Sequence, residues 1–219
     1  MSRPGRSRAP DRNRDRDRDR ASRRDRAPGA LRLFLAFDLP EDRRREIARR
    51  GSELARSLPA ARWVRAENLH LTLSFLGDTD PERVGPLAAA VEPVFAASPP
   101  LVTEVAGAGT FPPRRPARVA WVGLGSGEAL LDLQRRVAAA AAAAVGAEPD
   151  TRPFHAHVTL ARPRKPWDRG AREAFAAAFE TPVGDPFEVQ EGVLYKSELG
   201  PGGSRYTSLE TFPLRGTAA

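Results

Sequence analysis

Apolar residues fall along this chain in short blocks whose spacing alternates between the period of a strand and the period of a helix. LRLFLAFDLP, residues 31–40, is almost continuously apolar and reads as a buried strand. Asp38 and Pro40 then mark a helix start, and Ile47, Leu54 and Leu58 fall on one stripe of that helix. LHLTLSFLG, residues 69–77, alternates apolar with polar and closes at Gly77, the pattern of a strand with one buried face. A helix is predicted over about 81–97 and a strand in LVTEVAG at 101–107. ARVAWVGLG at 117–125 reads as the next strand, followed by a helix with Leu130, Leu133, Val137 and Ala141 on one face. FHAHVTLAR at 154–162 is another strand, 171–179 a short helix, and a last strand pair turns through 200–203.

Strand, helix, His-Thr strand, helix, strand thus occurs twice, over about 31–105 and about 118–214. Such a repeat predicts an internal duplication. The expected fold class is α+β, with two pseudo-symmetric lobes of antiparallel sheet, helices outside, and an active cleft between the lobes.

Composition changes this picture at the N-terminus. Residues 1–30 hold eleven Arg and five Asp with almost no large apolar side chain, too little to offset the entropy of ordering. A disordered Arg/Asp-rich tail is predicted there, ahead of one domain at 31–219. The tail carries +6 of the formal net charge of +7, so the domain itself is nearly neutral. Without cysteine the chain forms no disulfide and no thiolate metal site, which suits a cytoplasmic protein. No apolar run approaches the ~18 residues of a membrane span, and the start lacks the apolar stretch of a secretion signal. A cytoplasmic protein with no membrane partner is expected.

The candidate chemistry lies in two copies of one tetrad. His70-Leu71-Thr72-Leu73 and His157-Val158-Thr159-Leu160 stand 87 residues apart in a chain with only three histidines. Side chains alternate along a strand, so His70, Thr72 and Ser74 project to one side, and Leu69, Leu71, Leu73 and Phe75 to the other. His155, His157 and Thr159 likewise share a face backed by Ala156, Val158 and Leu160. A pseudo-twofold axis between the halves brings the two His-Thr pairs together across one cleft. One acid, one base and two hydroxyl donors form a set for in-line chemistry on a phosphate ester.

Two other readings compete. A zinc hydrolase using His70, His155 and His157 has good His-x-His ligand spacing but leaves both threonines without a role. A non-catalytic RNA-binding module, suggested by the tail, leaves the tetrads without one. Arg162 closes the second strand and suits phosphate wherever it reaches, although its parity is opposite to that of His157. Phe34 and Tyr206 have the rings to stack on a base but read first as core, as do Trp63 and Trp121. The GLGSG run at 123–127 reads as a turn from strand into helix.

Around the tetrads, the strings RLFLAFDLP, ENLHLTLSFLGD, GTFPPRRPARVAWVGL, RPFHAHVTLAR and LYKSELGPGGSRYTSL resemble the 2H phosphoesterases over about 31–214. Within that superfamily the resemblance is to the bacterial and archaeal RNA 2',3'-cyclic phosphodiesterases. It implies hydrolysis of a terminal RNA 2',3'-cyclic phosphate to a 2'-phosphate, with no metal and no cofactor, on RNA ends or small cyclic nucleotides. By the same resemblance His70 matches the proton donor to the departing 3' oxygen, and His157 matches the base that activates water. Thr72 and Thr159 match the phosphate-binding hydroxyls, with Arg162 a further phosphate contact. Where the family usually has proline between the histidines of the second motif, this chain has Ala156.

Overall fold

In the computed structural model, which describes residues 29–113, 116–125, 127–148, 152–200 and 203–217, the chain begins with β1 (Leu31–Asp38). The predicted disorder at 1–30 falls, but for its last two residues, outside the described residues. Leu33, Leu35 and Phe37 of β1 are buried in the core. α1 (Glu41–Leu54) starts behind Pro40 with Glu41 and Asp42 in its first turn, where acidic side chains complement the helix dipole. Its buried face carries Ile47 and Gly51; Leu54 and Leu58 pack at the edge of the core. Gly51 allows a close approach, since a Cβ there would stand 3.2 Å from the Trp63 ring.

β2 (Ala61–Trp63) and a 3-10 turn (Ala66–Asn68) lead into β3 (His70–Thr79). β3 runs past Gly77, and its pairing with β1 shifts register twice. The first shift leaves Ala36 opposite Thr72 but brings Leu35 opposite Ser74 and Phe34 opposite Phe75. An extra residue in one strand reverses the alternation beyond it. Ser74 therefore leaves the face of His70 and Thr72. Phe75, expected in the core, is 54% exposed, with the Arg32 guanidinium 4.8 Å above its ring.

A second 3-10 turn (Pro81–Arg83) precedes α2 (Val84–Ala96). The single strand expected in LVTEVAG divides at Glu104 into β4 (Leu101–Thr103) and β5 (Val105–Phe111), which belong to different sheets. β6 (Val119–Leu124) is followed by α3 (Glu128–Val145), whose buried residues include Leu130, Leu133, Val137 and Ala141. β7 (His157–Pro163) starts later than predicted, so His155 precedes the strand. α4 (Arg169–Ala177) is capped by Asp168, which accepts a bond from the Ala171 amide at 2.9 Å. β8 (Phe187–Val189), β9 (Glu191–Gly200) and β10 (Gly203–Pro213) complete the chain.

The main sheet has eight antiparallel strands in the order β10-β9-β1-β3-β7-β6-β5, with β2 also on β7; β4 and β8 form a second, two-stranded sheet. The last hairpin, β9–β10, thus joins the sheet of the first half through β1. The helices cross over in both directions. α1 packs toward β7, whereas α3 packs on β3, where Gln134 Nε2 donates to the Leu73 carbonyl at 3.0 Å. The two tetrad strands, β3 and β7, meet at one rung, Leu71 opposite Val158. That rung continues outward to Phe37 on β1 and Val122 on β6. All four side chains are essentially inaccessible, and burying each contributes roughly 1.5–3 kcal/mol.

Candidate active site

The buried rung positions the tetrads. His70 and Thr72 flank Leu71, and His157 and Thr159 flank Val158, so all four project from the opposite face of the sheet at its centre. On the neighbouring strands Asp38 stands opposite His70 and Ala36 opposite Thr72, while Gly123 stands opposite His157 and Trp121 opposite Thr159. Gly123 has no room for a side chain, since a Cβ would stand 2.5 Å from the Ala106 carbonyl oxygen.

His70 is held at both ring nitrogens. Nδ1 lies 2.9 Å from the Asn68 carbonyl and Nε2 3.0 Å from Thr72 Oγ1. A carbonyl only accepts, so Nδ1 carries a proton and Nε2 is the nitrogen that gains or loses one. Phe34 stacks on the ring at 4.8 Å, and Tyr206 meets it edge-on at 5.2 Å. Phe34 is buried, as a core residue is, but it forms the floor under His70 rather than part of the interior behind the sheet. Asn68 is itself anchored, Nδ2 donating to the Ser204 carbonyl on β10 at 2.8 Å. A groove of about 640 Å³ opens beside His70, lined among others by Asp38, Arg65, Asn68, Tyr195, Arg205 and Tyr206.

His157 is arranged similarly but not identically. Its Nδ1 donates to the His155 carbonyl at 2.7 Å, so Nε2 is again the titrating nitrogen. Phe111 meets its ring edge-on at 5.1 Å, and Trp121 lies 6.1 Å away. Trp121 packs closest on His155, at 4.5 Å, so this tryptophan supports the site from beside the motif. Trp63 does pack in the core, against Trp167 at 6.1 Å. Among the described residues no hydrogen bond joins His157 to Thr159, in contrast to the first pair. Arg162 is exposed near the end of β7, opposite Arg62 of β2.

Both histidines are pushed below their usual value, first of all by burial, which disfavours the charged imidazolium. Secondary influences differ. At His70 the Asn68 carbonyl and the Asp38 carboxylate oppose that fall, and His157 adds to it. At His157 the His155 carbonyl opposes it, while His155 and Arg162 add to it. His157 is thus among the influences on His70, and only His70 has a carboxylate among its own. Asp38 and Tyr195 carried no site signal in the sequence, because strand pairing alone brings them to His70, whereas Asn68 stands only two residues before it. Among the described residues no three His, Asp or Glu side chains converge as a metal-holding group, so the three-histidine zinc reading has no matching geometry there. No helix among the described residues is long and apolar enough to cross a membrane.

A pseudo-symmetric antiparallel sheet with a His-Thr pair on each of two central strands is the layout of a two-histidine phosphoesterase. A profile described as LigT like Phosphoesterase matches residues 37–121 and 124–206, and the chain belongs to that family. It is 35% identical over 186 residues to an RNA 2',3'-cyclic phosphodiesterase of Geobacillus stearothermophilus, a match covering 84% of this chain and 57% of that longer relative. An RNA 2',3'-cyclic phosphodiesterase of Methanothermobacter thermautotrophicus is 32% identical over 184 residues, 84% of this chain and 99% of its own. Among solved structures, a Thermus thermophilus protein superposes with a TM-score of 0.72 at 31% identity, over 86% of this chain and all of its own. E. coli LigT, crystallised with 3'-AMP, superposes with a TM-score of 0.67 at 32% identity, over 84% and 98% of the two chains.

Proposed function

We propose that the protein is a cytoplasmic hydrolase that opens the terminal 2',3'-cyclic phosphate of RNA to a 2'-phosphate by metal-independent acid–base catalysis between His70 and His157. The observation that carries this reading is the placement of both His-Thr pairs around the single Leu71–Val158 rung, each with a proton on Nδ1 and Nε2 left for chemistry. The names of the curated relatives supply the substrate class. The absence of cysteine suits a reducing compartment.

In this mechanism water approaches phosphorus opposite the 3' oxygen. His157 Nε2 takes a proton from the water as the new O–P bond forms. The P–O3' bond breaks, and the 3' oxygen takes the proton carried by His70 Nε2. The products are a 2'-phosphate and a free 3'-hydroxyl, with His157 protonated and His70 neutral; exchange with solvent restores the starting state. Thr72 and Thr159 donate to the phosphoryl oxygens, and Arg162 offsets their charge. In-line geometry puts the nucleoside on the side of the departing oxygen. This agrees with the groove of about 640 Å³ lying beside His70, with Arg65 and Arg205 on its walls.

The test is product analysis after incubating the purified protein, in chelator, with an RNA ending in a 2',3'-cyclic phosphate. Quantitative ring opening supports the reading. Loss of activity in chelator and its return with zinc would overturn the metal-independent mechanism, and tight RNA binding without turnover would favour the binding-module alternative.

A further inference from the structure

His70 and His157 come from the same tetrad and are both half-buried, yet the proposed reaction needs one of them protonated and the other neutral at the same moment. The tetrad itself does not break that symmetry. What differs is the residue opposite each histidine on the outer neighbouring strand. Across from His157 is Gly123, with no side chain; across from His70 is Asp38. Directly opposed residues of an antiparallel pair have Cβ atoms about 4.5–5.5 Å apart, within reach of a strong charge effect.

Asp38 does not stand loose at the strand end. The Tyr195 hydroxyl, on β9, donates to Asp38 Oδ2 at 2.7 Å. The Tyr195 ring stacks on Phe34 at 5.3 Å, and Phe34 stacks on His70 at 4.8 Å. A phenol stacked on the same ring that supports His70 therefore holds the carboxylate beside the histidine. Burial and the Asp38 contact both keep the Tyr195 phenol protonated, well above its usual range, so it acts as a permanent donor. The other titratable or charged groups facing His70 are His157 on β7, Tyr206 and Arg205 on β10, and Arg65 and Glu67 beside the 3-10 turn. Arg65 and Glu67 pair with each other at 3.9 Å and are both largely exposed, which leaves Asp38 as the fixed acidic neighbour.

We propose that Asp38, held by Tyr195, is a positioning residue that keeps His70 the protonated member of the histidine pair and so sets the direction of proton flow. Its catalytic consequence rests on the acid–base reading above; the coupling between carboxylate and imidazole does not. Asp38 touches no reacting atom in this account and acts only through His70.

With only three histidines, each imidazole titration can be followed by proton NMR and assigned with His70→Gln, His155→Gln and His157→Gln. Asp38→Asn removes the charge while keeping an acceptor for Tyr195. The titration of His70 is expected to fall by about one pH unit, that of His157 to move much less. The alkaline limb of kcat/KM on a 2',3'-cyclic nucleotide follows it down, so activity drops about tenfold on that limb and recovers at lower pH. Tyr195→Phe should move both readouts the same way by a smaller amount, and it carries the test if Asp38→Asn fails to fold. An unmoved His70 titration, or a loss of activity equal at every pH, would overturn the proposal. A clear NMR shift in a protein that hydrolyses no cyclic phosphate would uphold the coupling and overturn the functional reading instead.

Discussion

The first His-Thr pair is closed on itself, and the second is open. His70 Nε2 lies 3.0 Å from Thr72 Oγ1, the ring is covered by Phe34 and Tyr206, and Asp38 stands opposite. His157 is bonded through Nδ1 to the His155 carbonyl, lies beside Phe111 and Trp121, and has Arg162 rather than a carboxylate among its influences. A repeated tetrad places two imidazoles and two hydroxyls at equivalent points of a sheet. The residues across the ladder then make them chemically unequal, and these are not part of the tetrad. In the proposed reaction, acid and base are therefore told apart by their surroundings, where the motif alone is symmetric.

The largest effects come from removing either histidine. His70→Ala and His157→Ala should each lower turnover of a 2',3'-cyclic nucleotide by roughly 10²- to 10⁴-fold, the usual worth of general acid–base help. His155→Ala should cost far less, because its side chain packs on Trp121 and only its backbone carbonyl holds His157. Steady-state kinetics on the three variants checks this; equal damage from His155→Ala would mean that its ring takes part.

The threonines come next, and here the two halves should differ. Each hydroxyl that donates to a charged phosphoryl oxygen is worth about 1.5–3 kcal/mol. Thr72→Val also strips His70 Nε2 of its partner, so it should reduce kcat/KM more than Thr159→Val does. Equal losses would show that the Thr72 bond to His70 does nothing beyond phosphate binding.

The pH dependence follows from the direction of both shifts. In the proposed reaction His157 must be neutral, so activity is lost as pH falls through its depressed value. His70 must be protonated, so activity is lost as pH rises through its own depressed value. Both limbs of the kcat/KM bell therefore lie below about 6.5, the ordinary imidazole value. A bound phosphate anion favours both imidazolium forms, so kcat should peak at a higher pH than kcat/KM. Rate profiles in both parameters test this, and a kcat/KM plateau extending above pH 8 contradicts it.

The smallest expected change probes the wall of the second pair. Gly109 faces Trp121, and a Cβ there would stand 2.4 Å from its ring. Gly109→Ala should cost about 1–3 kcal/mol of stability by overpacking, seen as a lower Tm, and should displace Trp121 from His155 and His157. An unchanged Tm would mean that the indole moves aside freely.

Much of this was legible in the sequence for a physical reason: local periodicity records which face is buried. The run at 31–40 became β1, the stripe Leu130, Leu133, Val137 and Ala141 became the buried face of α3, and the tetrads lay on two strands. Strands of three residues, such as β2 and β8, are too short to show a period of two. The register shift in β3 reversed the alternation that had put Phe75 in the core, and local pattern gives no warning of a bulge. The pairing of β9 with β1 and the approach of Tyr195 to Asp38 are contacts between residues at least 157 apart in sequence, which no local pattern encodes. Phe34 and Tyr206 read first as core because burial against a catalytic-type ring and burial in an interior leave the same apolar signal.

The most direct test of the account is which oxygen keeps the phosphate. With His70 as acid on the groove side, a 2',3'-cyclic nucleotide hydrolysed to completion in chelator should give, by phosphorus NMR, a 2'-phosphate with a free 3'-hydroxyl. A 3'-phosphate product would contradict the assignment of acid to His70 and base to His157, and with it the role given to Asp38.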